Sequence, residues 1–471
     1  MTRTERFHRA SRVDATAAEL GAWHFRQGAI HRLIPPWESI EVRQEASPLV
    51  DGARAIIGIR KGPMRTTLVA LHGEVDPPRQ FVDTQERGPF ARWRHVHRFL
   101  PEAEDRSMLE DSIEYALPGG PIGRLILGRT MRRELARQFA FRHARTRSDL
   151  RRHLELDARF GPQRLRVGVT GASGLVGTQL CAFLTTGGHE VVRFVRGQPN
   201  GASERRWNPA DAEHGVDPRS VEDLDAVIHL AGEPIAARRW SPEQRTRIRA
   251  SRVDGTRAIA LAIARAGRRP SVLVSASAIG FYGDRGDEWV DERSTAGEGF
   301  LADVVQDWEG ATLAARDAGV RTVHMRVGIV LSAAGGALGK MLTPFKLGAG
   351  GPIGRGRQGF SWISLDDLIG ALAFSMRDPE LTGAVNAVAP GALAQRGFAS
   401  VLGRVLGRPS IAPLPGPVVR LLFGEMGQRL LLEGAFVRPT ALVTRGFRFE
   451  HASLEQALRL ELGRLHADGI D

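Results

Sequence analysis

Residues 164–184 read RLRVGVTGASGLVGTQLCAFL, and the apolar runs on either side of Gly171-Ala172-Ser173-Gly174-Leu175-Val176-Gly177 decide the fold. Residues 164–170 are strand-like, residues 178–184 are helix-like, and a second strand follows at His189 to Val195. Strand, glycines, helix and strand in that order predict a dinucleotide-binding βαβ unit. Gly171 permits the tight turn, Gly174 lets the backbone approach a pyrophosphate, and Gly177 allows close helix packing. The N-terminus of the helix attracts the anion, with Ser173, Leu175 and Val176 completing the candidate contacts. A glycine-rich βα turn that binds nothing is the plain structural alternative.

The end of the second strand selects the nucleotide. A domain that prefers NAD places Asp or Glu there for the ribose 2′-hydroxyl. This chain has Val195-Arg196-Gly197. A guanidinium at that point pairs with a 2′-phosphate, so NADP(H) is expected over NAD(H), an ordinary surface arginine being the alternative.

Further βαβ units follow. Residues 225–232, DAVIHLAG, read as a buried strand ending in small residues. Ser271 to Ser277 and Thr322 to Leu331 read as two more strands, with helical stretches between them. The class predicted is a doubly wound parallel α/β domain.

The motifs HLAGEPIAARRW, IRASRVDGT, SASAIGFYGDRGDE, RVGIVLSAAGGAL and LGAGGPIGRGRQGFSWISLDD, with the tail LLLEGAFVRPTALVTRGFRFEHASLEQAL, resemble the extended short-chain dehydrogenase/reductases. The resemblance is to their atypical branch, the nucleoside-diphosphate-sugar epimerase-like family. It implies cofactor contacts at Val195 and Arg196, at Leu230, Ala231 and Gly232, at Arg252 and at Ile329. Arg252 would reach a phosphate or lie on a helix surface. Typical members act through a Tyr-x-x-x-Lys pair on one helix, in which the lysine and the cofactor lower the tyrosine pKa. Here the two tyrosines, Tyr115 and Tyr282, are followed four positions on by Gly119 and Gly286. Phe300 and Val304 stand where the pair would be.

Two functional readings follow. In the first, an NADP(H)-dependent epimerase or reductase uses Tyr282 as acid/base and Ser277 as its hydrogen-bond partner, with Asp284 or Glu288 tuning the tyrosine. Tyr282-Gly283 as a structural turn is the alternative. In the second, the domain binds NADP(H) without redox chemistry, as a sensor or scaffold. Asp366 and Asp367 are expected to cap a helix starting at Leu368. The glycine-rich loop Gly348 to Gly359, with Gln358, is expected to be flexible and to border the substrate cleft. The segment after Arg396 is expected to form a lid beside the strand ends.

Residues 1–158 carry a different pattern. Ala55 to Ile59, Arg65 to Leu71 and Gln80 to Thr84 are strand-like and separated by turn residues. Trp93 to Phe99 alternates, and Met108 to Leu117 would pair with it. Leu127, Met131, Leu135 and Phe139 then recur at helical spacing. The strand order, GPFARWRHVHRF, DSIEYALPGG and the closing helix resemble a START-related helix-grip (SRPBCC) domain, which implies an apolar ligand in its cavity. His95 and His97 share one strand face. Without a third ligand at a recognisable spacing they read as polar surface or cavity lining, and no metal is expected. The predicted organisation is 1–158 helix-grip, 159–163 linker, 164–395 Rossmann and 396–471 lid.

Composition agrees with a folded chain. Of 471 residues, 42% are hydrophobic and 25% charged, which excludes a disordered or disulfide-stapled class. The lone Cys181 cannot form an internal disulfide, and the N-terminus carries no apolar signal segment, so a cytoplasmic protein is expected. Lys61, Lys340 and Lys346 are the only lysines among 65 basic residues, and the net charge of +12 is spread along the chain. The arginine run from Arg124 to Arg152 reads as a solvated helix face rather than a nucleic-acid surface. Substrate and oligomeric state are not encoded legibly.

Overall fold

The computed structural model describes residues 4–465, in two compact units. One holds the residues up to Pro162, with 182–188 and those from Arg459 onward. The other holds Gln163–Cys181 and His189–Leu458.

The first unit begins with β1 (Glu5–Val13), α1 (Ala17–Phe25) and α2 (Ala29–Leu33). A meander follows: β2 (Ser39–Gln44), β3 (Arg54–Lys61), β4 (Met64–Asp76), β5 (Gln80–Arg87), β6 (Arg92–Pro101) and β7 (Ser107–Ala116). All seven strands form one antiparallel sheet in the order β1-β7-β6-β5-β4-β3-β2. The expected pairing of the Trp93 and Met108 segments is the β6–β7 ladder.

The closing helix α3 (Gly120–Phe160) has 41 residues, about 60 Å of helix. It packs Leu135 and Phe139 against Ile113 and Tyr115 of β7. Two expectations change here. Leu127 is exposed together with Ile122, Leu125 and Ile126, because the first turns of α3 lie beyond the packed face. The arginine run is not simply solvated: Arg145 and Arg152 are buried, and Arg142 and Arg145 lie over the rings of Phe139 and Phe141. The helix also continues through Arg159 and Phe160, so the connection to the next strand starts at Gly161 rather than at residue 159.

From residue 163 the chain forms β8 (Arg166–Thr170), α4 (Leu175–Thr186), β9 (Glu190–Val195), β10 (Glu204–Arg206) and β11 (Ala226–His229). Next come α5 (Pro242–Arg265), β12 (Val272–Ala278), β13 (Trp289–Val290), α6 (Phe300–Gly310) and α7 (Leu313–Asp317). Then follow β14 (Arg321–Val327), β15 (Ile329–Leu331), α8 (Gly336–Lys346), β16 (Gly359–Phe360), β17 (Trp362–Ser364), α9 (Leu365–Arg377) and β18 (Gly383–Ala387). The parallel sheet runs β10-β9-β8-β11-β12-β14-β18. Helices cover both of its faces, so β11 and most of β8 are fully buried, as their unbroken apolar character predicts.

The single strand expected from Thr322 to Leu331 is two strands broken at Gly328. A Cβ there would lie 2.7 Å from the Ser361 carbonyl oxygen and from Val388, so the chain must turn at a residue without one.

After β18 the chain forms β19 (Leu393–Ala394), α10 (Gln395–Leu406), α11 (Gly416–Gly427), β20 (Phe436–Val437), α12 (Thr440–Thr444) and α13 (Leu454–Glu461). β20 pairs with β13, and β19 with β16. The loop at 348–359 is packed rather than flexible. Gly350, Gly351, Gly356 and Gly359 are buried, and a Cβ on Gly351 would meet the Ala412 carbonyl at 2.2 Å. Gln358 donates to the carbonyls of Ile353 and Leu431.

Helix α9 starts three residues before the expected Leu368, and its cap is Ser364, whose hydroxyl accepts the Asp367 amide at 3.0 Å. Asp367 is buried and receives the amides of Glu450 and His451. Among the described residues, no helix is long and apolar enough to cross a membrane.

Candidate functional site

The parallel sheet changes direction of growth between β8 and β11, and ligands of open α/β sheets bind outside the strand ends at such a point. Gly171 has φ +67°, and a Cβ on it would lie 2.9 Å from the Leu230 carbonyl carbon. A Cβ on Gly177 would sit 2.1 Å from the Gly171 oxygen, so the turn and the first turn of α4 touch backbone to backbone. Gly174 differs: its Cβ position has one neighbour, the Gly171 oxygen at 3.3 Å, and the residue is exposed. The cradle at the N-terminus of α4 therefore has the shape a pyrophosphate needs, and the exposed Ser173 with half-buried Leu175 and Val176 completes its rim.

The strand ends are tied by residues that pattern reading missed. The Thr170 hydroxyl lies 2.8 Å from His229 Nδ1 and accepts the amides of Leu230 at 3.1 Å and Ala231 at 3.3 Å. Its proton is thus directed at His229. Burial pushes that imidazole down to about 4, so it is neutral and accepts the bond. A threonine and a histidine ending adjacent strands were visible in the sequence, but their meeting depends on the β8–β11 register, Thr170 opposite His229.

The other candidate contacts divide. Val195 ends β9 beside this cradle, and Arg196 after it is exposed. Arg206, exposed at the end of β10, stands opposite Val195 in the ladder and was also missed. Gly232 is exposed beside the Arg252 guanidinium. Arg252 donates to the carbonyls of Glu233 and Ile248, and its guanidinium carbon lies 5.0 Å from the Trp308 ring centroid. It pins α5 to the loop after β11, and burial lowers its pKa to about 10. Ile329 opens β15, its amide on the Ser361 carbonyl.

The proposed acid/base pair sits in a buried polar chain. Ser277, Arg326 and Asn386 stand side by side across β12, β14 and β18. The Ser277 hydroxyl donates to Glu309 at 2.6 Å, and Arg326 clasps the same carboxylate with two bonds of 2.8 Å. Arg326 also donates to the Tyr282 hydroxyl at 3.1 Å, which donates in turn to Asn386 Oδ1 at 2.8 Å. Tyr282 is 0% exposed, and burial raises its pKa against the pull of Arg326. Asp284 accepts backbone amides and Glu288 faces Arg285, so the groups nominated to tune Tyr282 give way to Arg326 and Asn386.

A groove of about 420 Å³ runs beside the start of α6, lined by Trp240, Arg245, Thr246, Arg249, Phe300 and Glu425. Arg245 lies over the Phe300 ring and pairs with Glu425 at 3.0 Å. In the first unit His95 and His97 are buried rather than on polar surface, and both meet Asp83 and Asp111.

Residues 167–387 match the model of the NAD dependent epimerase/dehydratase family, and residues 414–460 match a domain of unknown function (DUF1731). An epimerase family protein of Mycobacterium bovis is 42% identical over 292 residues, covering 62% of this chain and 96% of that protein. The crystal structure of a nucleoside-diphosphate sugar epimerase from Corynebacterium glutamicum superposes with a TM-score of 0.81 at 30% identity. That likeness covers 98% of this chain and 91% of the other. The crystal structure of human epimerase family protein SDR39U1 with NADPH is 35% identical, with a TM-score of 0.59 over 64% of this chain and all of that one.

Proposed function

The chain belongs to the NAD dependent epimerase/dehydratase family, and on that premise we propose that its second unit binds NADP(H) and acts as an epimerase- or reductase-like protein on a small molecule. The observation that carries this reading is the turn 171–177, where the exposed Gly174, with only the Gly171 oxygen near its Cβ position, stands at the N-terminus of α4 at the switch point. The NADPH in the human relative supports the choice of nucleotide. So do Arg196 and Arg206, two guanidinium groups at neighbouring strand ends, where a 2′-phosphate would be met.

When bound, the nicotinamide supplies or accepts a hydride. The protein's own part is positional. The backbone amides at the start of α4 would hold the pyrophosphate, and Thr170, tied to His229, fixes the Leu230 and Ala231 amides at the neighbouring strand end. Arg252 keeps the start of α5 in place by its two carbonyl bonds. Small-molecule substrates enter beside Phe300, in the groove where Arg245 and Arg249 stand.

A second reading, a nucleotide-dependent sensor without turnover, is favoured by one observation. Neither hydroxyl nominated for proton transfer is free: Tyr282 is bound by Arg326 and Asn386, and Ser277 is committed to Glu309. The sequence has no Tyr-x-x-x-Lys to take their place. The antiparallel sheet and long helix of the first unit support a helix-grip module.

Titration calorimetry with NADPH and NADH tests the nucleotide assignment. At least tenfold tighter binding of NADPH is expected, and equal affinity or an NADH preference sinks it. Incubation with candidate sugars and carbonyl compounds then separates the two readings by whether NADPH is ever oxidised.

A further inference from the structure

The inner face of the first unit carries a stripe of polar side chains across three adjacent strands. Asp83 on β5 stands opposite His95 on β6, and His97, two residues on, stands opposite Asp111 on β7. The period of two along a strand puts all four on one face. Apolar groups close the stripe on both sides. Phe81 stacks on His97 with centroids 4.1 Å apart, and Phe139 meets the edge of His95 at 5.2 Å.

The geometry points to a metal site: Asp83, His95 and His97 hold one divalent transition-metal ion of the zinc class, with a coordination position left open. Asp83 Oδ2 lies 3.1 Å from His95 Nδ1 and 3.2 Å from His97 Nε2, and the three donor atoms all lie within 4.8 Å of one another. Ligands of a tetrahedral ion with bonds of about 2.0–2.1 Å stand roughly 3.3 Å apart, and the Asp83 oxygen stands within a few tenths of an ångström of that separation from each ring nitrogen.

The polar groups hydrogen-bonded behind these donors are placed as an outer shell would be. Asp111 Oδ1 takes the remaining nitrogens of both rings, His95 Nε2 at 2.7 Å and His97 Nδ1 at 2.8 Å. Its other oxygen is held by His143 Nε2 at 2.7 Å, and His143 Nδ1 is backed by the Ser11 hydroxyl. Asp83 Oδ1 receives the Trp93 indole N–H at 3.0 Å, which leaves Oδ2 to the ion. A carboxylate on the far nitrogen of each ligating histidine fixes the ring and raises its basicity.

Two imidazoles and one carboxylate suit zinc or ferrous iron rather than the oxygen-seeking calcium or magnesium. Among the described residues no fourth His, Cys, Asp or Glu donor joins the three. Three protein ligands and an open position are the pattern of a working site rather than a structural one. Asp83 is its most exposed member, with 14% of its side chain accessible, so solvent approaches from that side.

The test uses the full chain, stripped with a chelator and titrated with Zn²⁺ against a chromophoric competitor. One Zn²⁺ per chain with micromolar or tighter affinity is expected. Asp83→Asn and His97→Gln should each weaken it at least 100-fold, and Asp111→Asn by about 10- to 100-fold. The far-ultraviolet circular dichroism and melting temperature of each variant serve as the control for folding. Absence of stoichiometric binding, or binding that Asp83→Asn and His97→Gln leave unchanged, overturns the proposal. Should the variants fail to fold, X-ray absorption of the zinc-loaded wild type decides: two imidazole scatterers support the site, and none refutes it.

Discussion

The Thr170 hydroxyl and His229 Nδ1 lie 2.8 Å apart across the point where the parallel sheet changes direction. One oxygen there serves two backbone amides and one ring, so it ties the end of β8 to the end of β11. Thr170→Val keeps the shape and removes the oxygen, leaving the Leu230 and Ala231 amides without an acceptor. The expected cost is about 2–3 kcal/mol, with weaker NADPH binding, whereas Thr170→Ser should stay near wild type in both. Thermal unfolding with and without NADPH reads both effects.

His229 also gives the protein an acid-side weakness. Its folded pKa, about 4, lies below the ordinary 6.5, so between those values the unfolded chain binds more protons. The stability it contributes is complete above pH 6.5 and falls away as pH drops toward 4, by about 3 kcal/mol in all. His229→Gln should narrow the gap between melting temperatures at pH 7 and pH 4.5. His24, also buried with a depressed pKa, is present in both proteins and cancels. An unchanged gap would mean that His229 is not buried neutral.

Two alanine substitutions in the glycine turn should fail in different ways. Gly177→Ala places a carbon 2.1 Å from the Gly171 oxygen and should cost folding itself. Gly174→Ala meets only the Gly171 oxygen, at 3.3 Å, and should fold with at most a small loss of stability while losing at least tenfold in NADPH affinity. Full binding by Gly174→Ala would place the pyrophosphate elsewhere.

Arg196→Ala and Arg206→Ala should each lower NADPH affinity about 10- to 100-fold and leave NADH affinity unchanged, since each removes a charge-assisted bond to the 2′-phosphate alone. Parallel losses for both nucleotides would show a general electrostatic effect instead.

Tyr282→Phe separates structure from chemistry. Loss of the hydroxyl strips a donor from Asn386 and an acceptor from Arg326 in a buried setting, for an expected cost of about 1–3 kcal/mol. NADPH affinity should stay within twofold. Abolished turnover at unchanged melting temperature would restore Tyr282 as the acid/base.

Much of the second unit was legible in its residues because a parallel strand covered on both faces is written as an unbroken apolar run, as at residues 226–228. The glycine turn was legible because backbone contact admits no side chain. What pattern reading lost were meetings set by register. Ser277, Arg326 and Asn386 lie 49 and 60 residues apart in the chain and touch only because β12, β14 and β18 align. The same holds for Asp83, which spacing alone did not join to His95 and His97. Gly348 to Gly359 misled for another reason: its glycines serve close approach rather than freedom, and composition does not distinguish the two.

The contrast between Gly177 and Arg196 bears on how such a protein can change over generations. Any substitution at Gly177 adds the same carbon at the same distance, so every mutant allele there starts from a damaged fold. Arg196 is exposed at a strand end, and its replacement disturbs no packing. Substitutions at the rim can therefore accumulate by drift without touching the fold, while the backbone contact under Gly177 stays closed to variation.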